Sequence, residues 1–299
     1  MIEKFMAELA NGTTLSCRAS GRIGAPALVF LHGFPEAAFV WDGMLAHFGD
    51  RFRCVAPNLR GYERSSSPAE VEAYRAKHLV ADIALLIESL GGKLAALVAH
   101  DWGGAVAWNL AAQRPELMAR LVIVNSPHPA TFLRELQHSP QQQAASAYMT
   151  FLCRPDAERL LAENDFARMW PFLTNAMTGA LPRPGNDWLT ETVKEQYRAV
   201  WRTSLRGGCN YYRASPLRPP LEPDDAVMKI SFAREAVTTR VPTRVVWADD
   251  DIALPLSLLD GLEEFVPTLE VVRVAGASHW IVHERPERVA AEIDRMLVG

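Results

Sequence analysis

Short, uninterrupted apolar runs recur along the chain, and each stops at a turn former. The runs at 27–31, 52–56, 94–99 and 121–124 end at His32-Gly33-Phe34-Pro35, Pro57, His100-Asp101 and Asn125-Ser126-Pro127. Two more, at 243–247 and 269–274, come near the end. Most lack polar alternation, as expected of strands covered on both faces. Between them lie helical periods. Leu79, Ile83, Leu86, Ile87 and Leu90 recur at three- and four-residue spacing, and Gly91-Gly92 supplies a stop. Residues 106–113 read as a helix ending before Pro115, and 286–297 as one with Pro at its start and Val289, Ile293 and Leu297 on one face. Strands alternating with helices predict a parallel sheet with right-handed crossovers. The stretches 5–9 and 14–19 bracket Asn11-Gly12, a hairpin signal, so the sheet is expected to begin with an antiparallel edge.

From about 130 to 240 the strand rhythm is absent. The segment is rich in Gln, Arg, Trp and Pro, and the alternation resumes at Val241. An insertion that interrupts a sheet and returns to it reads as a helical cap. The expected division is 1–130 and 241–299 as an α/β core and 131–240 as the cap, with 217–223 an extended surface connector.

Length alone permits one large domain or two smaller ones. The 31 Lys+Arg against 35 Asp+Glu leave a net charge of -4, which argues against a nucleic-acid partner. No apolar stretch reaches membrane-spanning length, and Met1-Ile2-Glu3-Lys4 does not open a signal peptide. Cys17, Cys54, Cys153 and Cys209 are scattered, without metal-ligand spacing, so a cytoplasmic protein with reduced thiols and no metal is expected.

Ala99-His100-Asp101-Trp102-Gly103-Gly104 joins a buried strand to a helix. Small residues suit a sharp turn there, with Asp101 at the tip and helix N-terminal N–H groups aimed at it. A carboxylate needs no base to attack an sp³ carbon, but hydrolysis of the resulting ester does need one. Taken alone, Asp101 also reads as a helix N-cap. The loop at 32–36 follows the first parallel strand. Its Phe34 N–H and the N–H of Trp102 form a natural oxyanion-hole pair, although the segment by itself is also an ordinary Gly-Pro turn.

Together HGFPE (32–36), HDWGG (100–104), NSPHP (125–129), WADDD (247–251) and GASHW (276–280) make the chain resemble the α/β-hydrolase superfamily, and within it the epoxide hydrolases. The match spans nearly the whole chain. The resemblance implies an α/β-hydrolase fold, with a mostly parallel eight-stranded sheet flanked by helices and carrying a helical cap. It also implies a nucleophile, acid and base in that chain order, on Asp101, Asp251 and His279. Asp249, Asp250 and Asp251 are adjacent, and the family pattern W-G-x-x-D points to Asp251, with Ala248 in place of Gly. His283 is a rival base. His32 and His100, in motif loops, are expected to support the site, and His47, His78 and His138 to be solvated.

The resemblance further implies two cap tyrosines that hydrogen-bond the epoxide oxygen. Tyr148 and Tyr212 match them, with Tyr211 as a packing neighbour. Cap tyrosines are also common packing residues. Phe34, Trp102, Tyr148, Tyr212 and Trp280 are the expected substrate-binding residues, and Trp170, Trp188 and Trp201 an apolar cap lining. The expected reaction turns a small, mostly apolar epoxide and water into a vicinal diol, without cofactor or membrane, by a monomer or homodimer. The closest alternative is a haloalkane or haloacetate dehalogenase with the same Asp-His-Asp core. Trp102 suits its halide cradle, but Phe34 stands where Asn is usual and no Arg adjoins Asp101. A serine esterase is disfavoured by Asp101, and a non-catalytic receptor on this fold by the intact triad.

Overall fold

A computed structural model describes residues 1–174 and 186–298. Eight strands form one sheet: β1 (Glu3–Glu8), β2 (Thr14–Ser20), β3 (Ala27–Leu31), β4 (Arg53–Pro57), β5 (Leu94–His100), β6 (Leu121–Val124), β7 (Thr243–Ala248) and β8 (Leu269–Val274). Their spatial order is β1-β2-β4-β3-β5-β6-β7-β8. The β1–β2 and β2–β4 pairs are antiparallel and every other pair is parallel. The Asn11-Gly12 turn joins β1 to β2, with Gly12 at φ +79°.

The apolar runs place the central strands as the pattern predicts: β3, β4, β5 and β6 are buried almost throughout. Alternate side chains feed two cores. Val29, Leu31, Leu97 and Ile123 pack with helices α2 (Ala76–Ser89) and α3 (Trp102–Gln113). Leu28, Phe30, Val98 and Val122 pack on the other face, with α1 (Asp42–Phe48) and α12 (Pro286–Val298). The sixth run differs. In β8 Glu270, Val271 and Arg273 are exposed, because β8 closes the sheet and has a neighbour on one side only.

Among the described residues no strand lies between β6 and β7. That stretch carries α4 (Pro129–His138), α5 (Pro140–Ala145), α6 (Tyr148–Leu152), α7 (Ala157–Phe166), α8 (Trp170–Leu173), α9 (Glu191–Ala214) and α10 (Arg234–Val237). The 24-residue α9 begins at Thr190, whose hydroxyl accepts the Val193 N–H. The chain at 217–223 has neither helix nor strand, and Pro219 is its one buried residue. After β8 a short helix, α11 (Ile281–Glu284), precedes α12. No helix among the described residues is long and apolar enough to cross a membrane.

Candidate active site

The helix after β5 starts at Trp102, four residues earlier than its apolar period suggests. Trp-Gly-Gly-Ala carries little periodic signal, but packing requires small residues there. A Cβ on Gly103 would lie 2.6 Å from the backbone oxygens of Leu31 and His32, and one on Gly104 2.3 Å from Ser126 Cβ. Asp101 occupies the elbow at φ +50°, ψ −124°, a strained conformation for a residue with a side chain. The Ser126 hydroxyl steadies it by donating to the Asp101 carbonyl oxygen at 2.7 Å.

The two oxygens of the Asp101 carboxylate have different surroundings. Oδ1 accepts the Phe34 backbone N–H at 2.7 Å, and the Trp102 N–H, next in the chain after Asp101, helps to hold the carboxyl in its charged form. Oδ2 lies 3.6 Å from His279 Nε2. Burial pushes the Asp101 pKa up, but the hydrogen bond and charge of His279 outweigh it and hold the carboxyl below its usual range.

His279 lies in the turn after β8. Its Nδ1 donates to Asp251 Oδ2 at 2.7 Å. The Asp251 side chain is fully buried, and every one of its partners is a donor. Oδ1 accepts the N–H groups of Ala253 and Leu254, while Oδ2 accepts His279 and the Asn125 amide. Of the adjacent carboxylates, Asp249 turns outward to Arg273. Burial would lower the His279 pKa, yet the charges and hydrogen bonds of Asp251 and Asp101 raise it well above the usual value. The free site therefore holds an imidazolium between two carboxylates.

His32 stays out of the chemistry. Burial lowers its pKa to about 4; its neutral ring donates from Nδ1 to the Gly33 carbonyl and accepts the Leu59 N–H at Nε2. His100 donates from Nε2 to the His279 carbonyl oxygen at 2.9 Å. His283 lies in α11, ahead of the final helix, and its Nε2 donates to Glu36 at 2.6 Å, so it takes no place beside Asp101.

A cavity of about 230 Å³ opens over Asp101, and Trp102, Tyr148 and Tyr212 line it. The Tyr148 and Tyr212 rings meet edge to face at 6.0 Å. Trp102 packs edge-on to Tyr212 at 5.1 Å. Burial raises both phenol pKa values, aided at Tyr148 by the Asp101 charge and at Tyr212 by Tyr148 and then Asp101, so both hydroxyls stay protonated and can donate. Other walls are mostly apolar, including Phe132, Met149, Val237 and Leu254, and no Lys or Arg among the described residues lines the cavity. Among the described residues no group of three or more His, Cys, Asp or Glu is arranged to hold a metal ion.

Several expected lining residues lie elsewhere. Phe34 contributes its backbone to the site while its ring packs against Tyr212 and Phe172. Trp280 is buried behind His279 and donates its indole N–H to the Phe172 carbonyl. None of the three cap tryptophans lines the cavity. Trp170 packs on Trp201, Trp201 donates to the Pro35 carbonyl, and Trp188 stacks on His283. Trp201 joins layers through both its apolar face and its N–H, whereas Trp170 and Trp188 contribute their flat faces.

The motif positions also conceal roles that spacing alone does not reveal. Asn125, first residue of NSPHP, donates to Asp251 and accepts the Ala248 N–H through Oδ1. Its positive φ of +39° aims both amide atoms across β6 and β7, and an Asn after a buried strand is the signal that could have marked it. Glu36, last residue of HGFPE, is fully buried among Tyr197, His283 and His100.

Residues 26–286 match the family model for the alpha/beta hydrolase fold. An AB hydrolase superfamily protein of Bacillus subtilis is 34% identical over 92% of this chain and 91% of its own length. Epoxide hydrolase 4 of Mus musculus is 32% identical over 91% of this chain and 72% of its own length. Among solved structures, a Bacillus megaterium epoxide hydrolase in complex with an inhibitor superposes with a TM-score of 0.88 at 31% identity, covering 99% of this chain and all of the other.

Proposed function

This chain belongs to the α/β-hydrolase fold family, among its epoxide hydrolases, and from that premise we propose that it adds water to a small, neutral, mostly apolar epoxide through an ester on Asp101. The carrying observation is the division of labour on that carboxylate. One oxygen rests on a backbone N–H, and the other faces a paired histidine beneath two phenols. The reading assigns 1–130 and 241–299 to the hydrolase core, 131–240 to the cap and the four free cysteines to a reducing cytoplasm.

A lone pair on Asp101 Oδ2 forms a bond to one epoxide carbon. The ring C–O bond breaks, and its electron pair goes to the epoxide oxygen, which Tyr148 and Tyr212 hydrogen-bond and to which one of them gives its proton. Their raised pKa values make a lasting tyrosinate unfavourable, so the phenol recovers its proton from the imidazolium pool. Ester formation also removes the Asp101 charge that held the proton on His279. The imidazole is thereby neutral when a base is needed. His279 Nε2 then takes a proton from water, whose oxygen attacks Asp101 Cγ. The oxyanion develops on Oδ1, which already accepts the Phe34 N–H, and the Trp102 N–H is the second donor of the reading. Collapse breaks the Cγ–Oδ2 bond, the alkoxide takes the proton from His279, and the diol leaves. The regenerated Asp101 carboxyl returns its proton to His279.

Racemic styrene oxide and a haloalkane, offered separately, test the reading: diol from the first supports it, and halide release without diol overturns it. The Asp101→Asn variant should turn over neither. With His279→Gln, mass spectrometry of the Asp101 peptide should show the added mass of the trapped ester. No adduct during diol formation would sink the two-step scheme.

A further inference from the structure

The loop that carries the Phe34 N–H is held from the cap, residue by residue. Phe34 donates to Asp101 Oδ1; the next carbonyl, Pro35, accepts the Trp201 indole N–H at 2.8 Å; the next side chain, Glu36, accepts the Tyr197 hydroxyl at 2.7 Å. Tyr197 and Trp201 are both on α9, one turn apart, and both are buried. Their rings pack together at 5.4 Å, and Phe39 braces Tyr197 at 5.1 Å. Gly208, two turns on in the same helix, lets the Phe34 ring approach, since a Cβ there would lie 2.9 Å from Phe34 Cδ2. Three consecutive loop residues thus each take a contact from one cap helix, so a shift of that helix moves the N–H that faces the nucleophile.

We propose that Tyr197 and Trp201 are positioning residues through which the cap sets the oxyanion hole for the second half-reaction. The proposal rests on the ester mechanism above and adds a distinction that the mechanism by itself does not make. A hydrogen bond to Asp101 Oδ1 stabilises the carboxylate before attack, when that oxygen carries charge. It stabilises the ester carbonyl less, and the tetrahedral oxyanion most. Loosening it therefore removes nothing that ester formation needs, but it does remove stabilisation from ester hydrolysis. A general loss of packing would slow both steps alike.

The experiment is a single-turnover measurement with enzyme in excess over styrene oxide, quenched and read by intact-protein mass spectrometry for ester growth and decay. The variants are Tyr197→Phe and Trp201→Phe, either of which suffices if the other fails to fold, as a melting curve will show. Ser204→Ala is the control. It too removes a contact between α9 and the core, the 2.9 Å hydrogen bond from the Glu63 N–H, but away from the 34–36 loop. The expected result is ester decay slowed roughly 10- to 100-fold, the range for a displaced catalytic group, with ester growth not slowed and Ser204→Ala like wild type. The inference is overturned if both steps slow together, if neither changes, or if Ser204→Ala shifts the two steps as the test variants do. Wild-type ester with unaltered variants would defeat this inference alone, whereas absence of any ester in wild type would defeat the underlying reading.

Discussion

Replacing Asp251 with Asn preserves shape while inverting hydrogen-bond polarity, and the surroundings offer it no acceptable orientation. The native carboxylate accepts from four donors: Ala253 N–H, Leu254 N–H, His279 Nδ1–H and the Asn125 amide. An amide has one acceptor atom. If its oxygen serves the two backbone N–H groups, its NH₂ faces His279 and Asn125. The imidazole must then carry its proton on Nε2, the atom that should take one from water. If the amide flips, its NH₂ opposes two immovable backbone donors, and each unmatched buried donor costs about 1–3 kcal/mol. The first orientation is the cheaper, and it leaves the base in the wrong tautomer. The same exchange in Ser-His-Asp triads lowers kcat by roughly 10⁴, or about 5.4 kcal/mol at 1.36 kcal/mol per factor of ten. Attack by Asp101 does not require that base. Asp251→Asn should therefore form the ester, accumulate it and hydrolyse it about 10⁴-fold more slowly, with a lower melting temperature. Rapid-quench mass spectrometry after mixing with styrene oxide reads both rates. An ester that decays within tenfold of the wild-type rate would refute the assignment of Asp251 as the group that orients His279.

Other substitutions and conditions probe separate parts of the same site. The double change Tyr148→Phe and Tyr212→Phe should slow ester formation by roughly 10²–10⁴, the usual worth of a general acid, while leaving decay of preformed ester nearly intact; slowing confined to decay would remove the phenols from ring opening. Gly33→Ala would place a Cβ 2.0 Å from Asp101 Oδ1 and should cost at least about 10²-fold in styrene oxide turnover. Gly43→Ala, in α1 with open space around it, should leave the rate unchanged and raise stability by about 0.5–1 kcal/mol; equal losses in the two would show that steric crowding at Asp101 is not the cause. The raised pKa of His279 sets a pH dependence of stability. Below the usual value of 6.5 the folded and unfolded chains are both protonated there, and the full stabilisation is present. As pH rises toward the folded-state pKa the unfolded chain loses the proton first, so the melting temperature should fall relative to that of His279→Gln. A difference that grows with pH would contradict the imidazolium assignment.

The elements most legible in the chain were those whose physics is local. A continuous apolar run between turn formers is enough to place β3 or β6, because burial on both faces excludes polar residues along the whole strand. The period of α2 is likewise carried by its own buried residues. The first turn of α3 was not legible, since there the demand is for small size against Leu31, His32 and Ser126, which is a tertiary requirement. The site divided in the same way. Asp101 and His279 stand at junctions between elements, and their motifs mark those junctions. The roles of Asn125, Glu36, Tyr197 and Trp201 depend on partners 123, 161 and 166 residues away along the chain. The tryptophans show how composition misleads. Large cap aromatics suggest a pocket wall, yet Trp201 uses its N–H, and Trp170 and Trp188 their flat faces, to fasten layers to one another.

In the proposed mechanism the oxyanion donors belong to the backbone of Phe34 and Trp102, whereas the donors to the epoxide oxygen are two side chains. No side-chain exchange other than to proline can delete a backbone N–H, but a single nucleotide change turns either tyrosine into another residue. The two sets of donors are therefore unequally exposed to mutation. The oxyanion hole is sheltered from direct deletion, and the leaving-group donors are open to drift and to selection. A library built to move this scaffold toward a different electrophile should vary Tyr148 and Tyr212 and leave the elbow untouched.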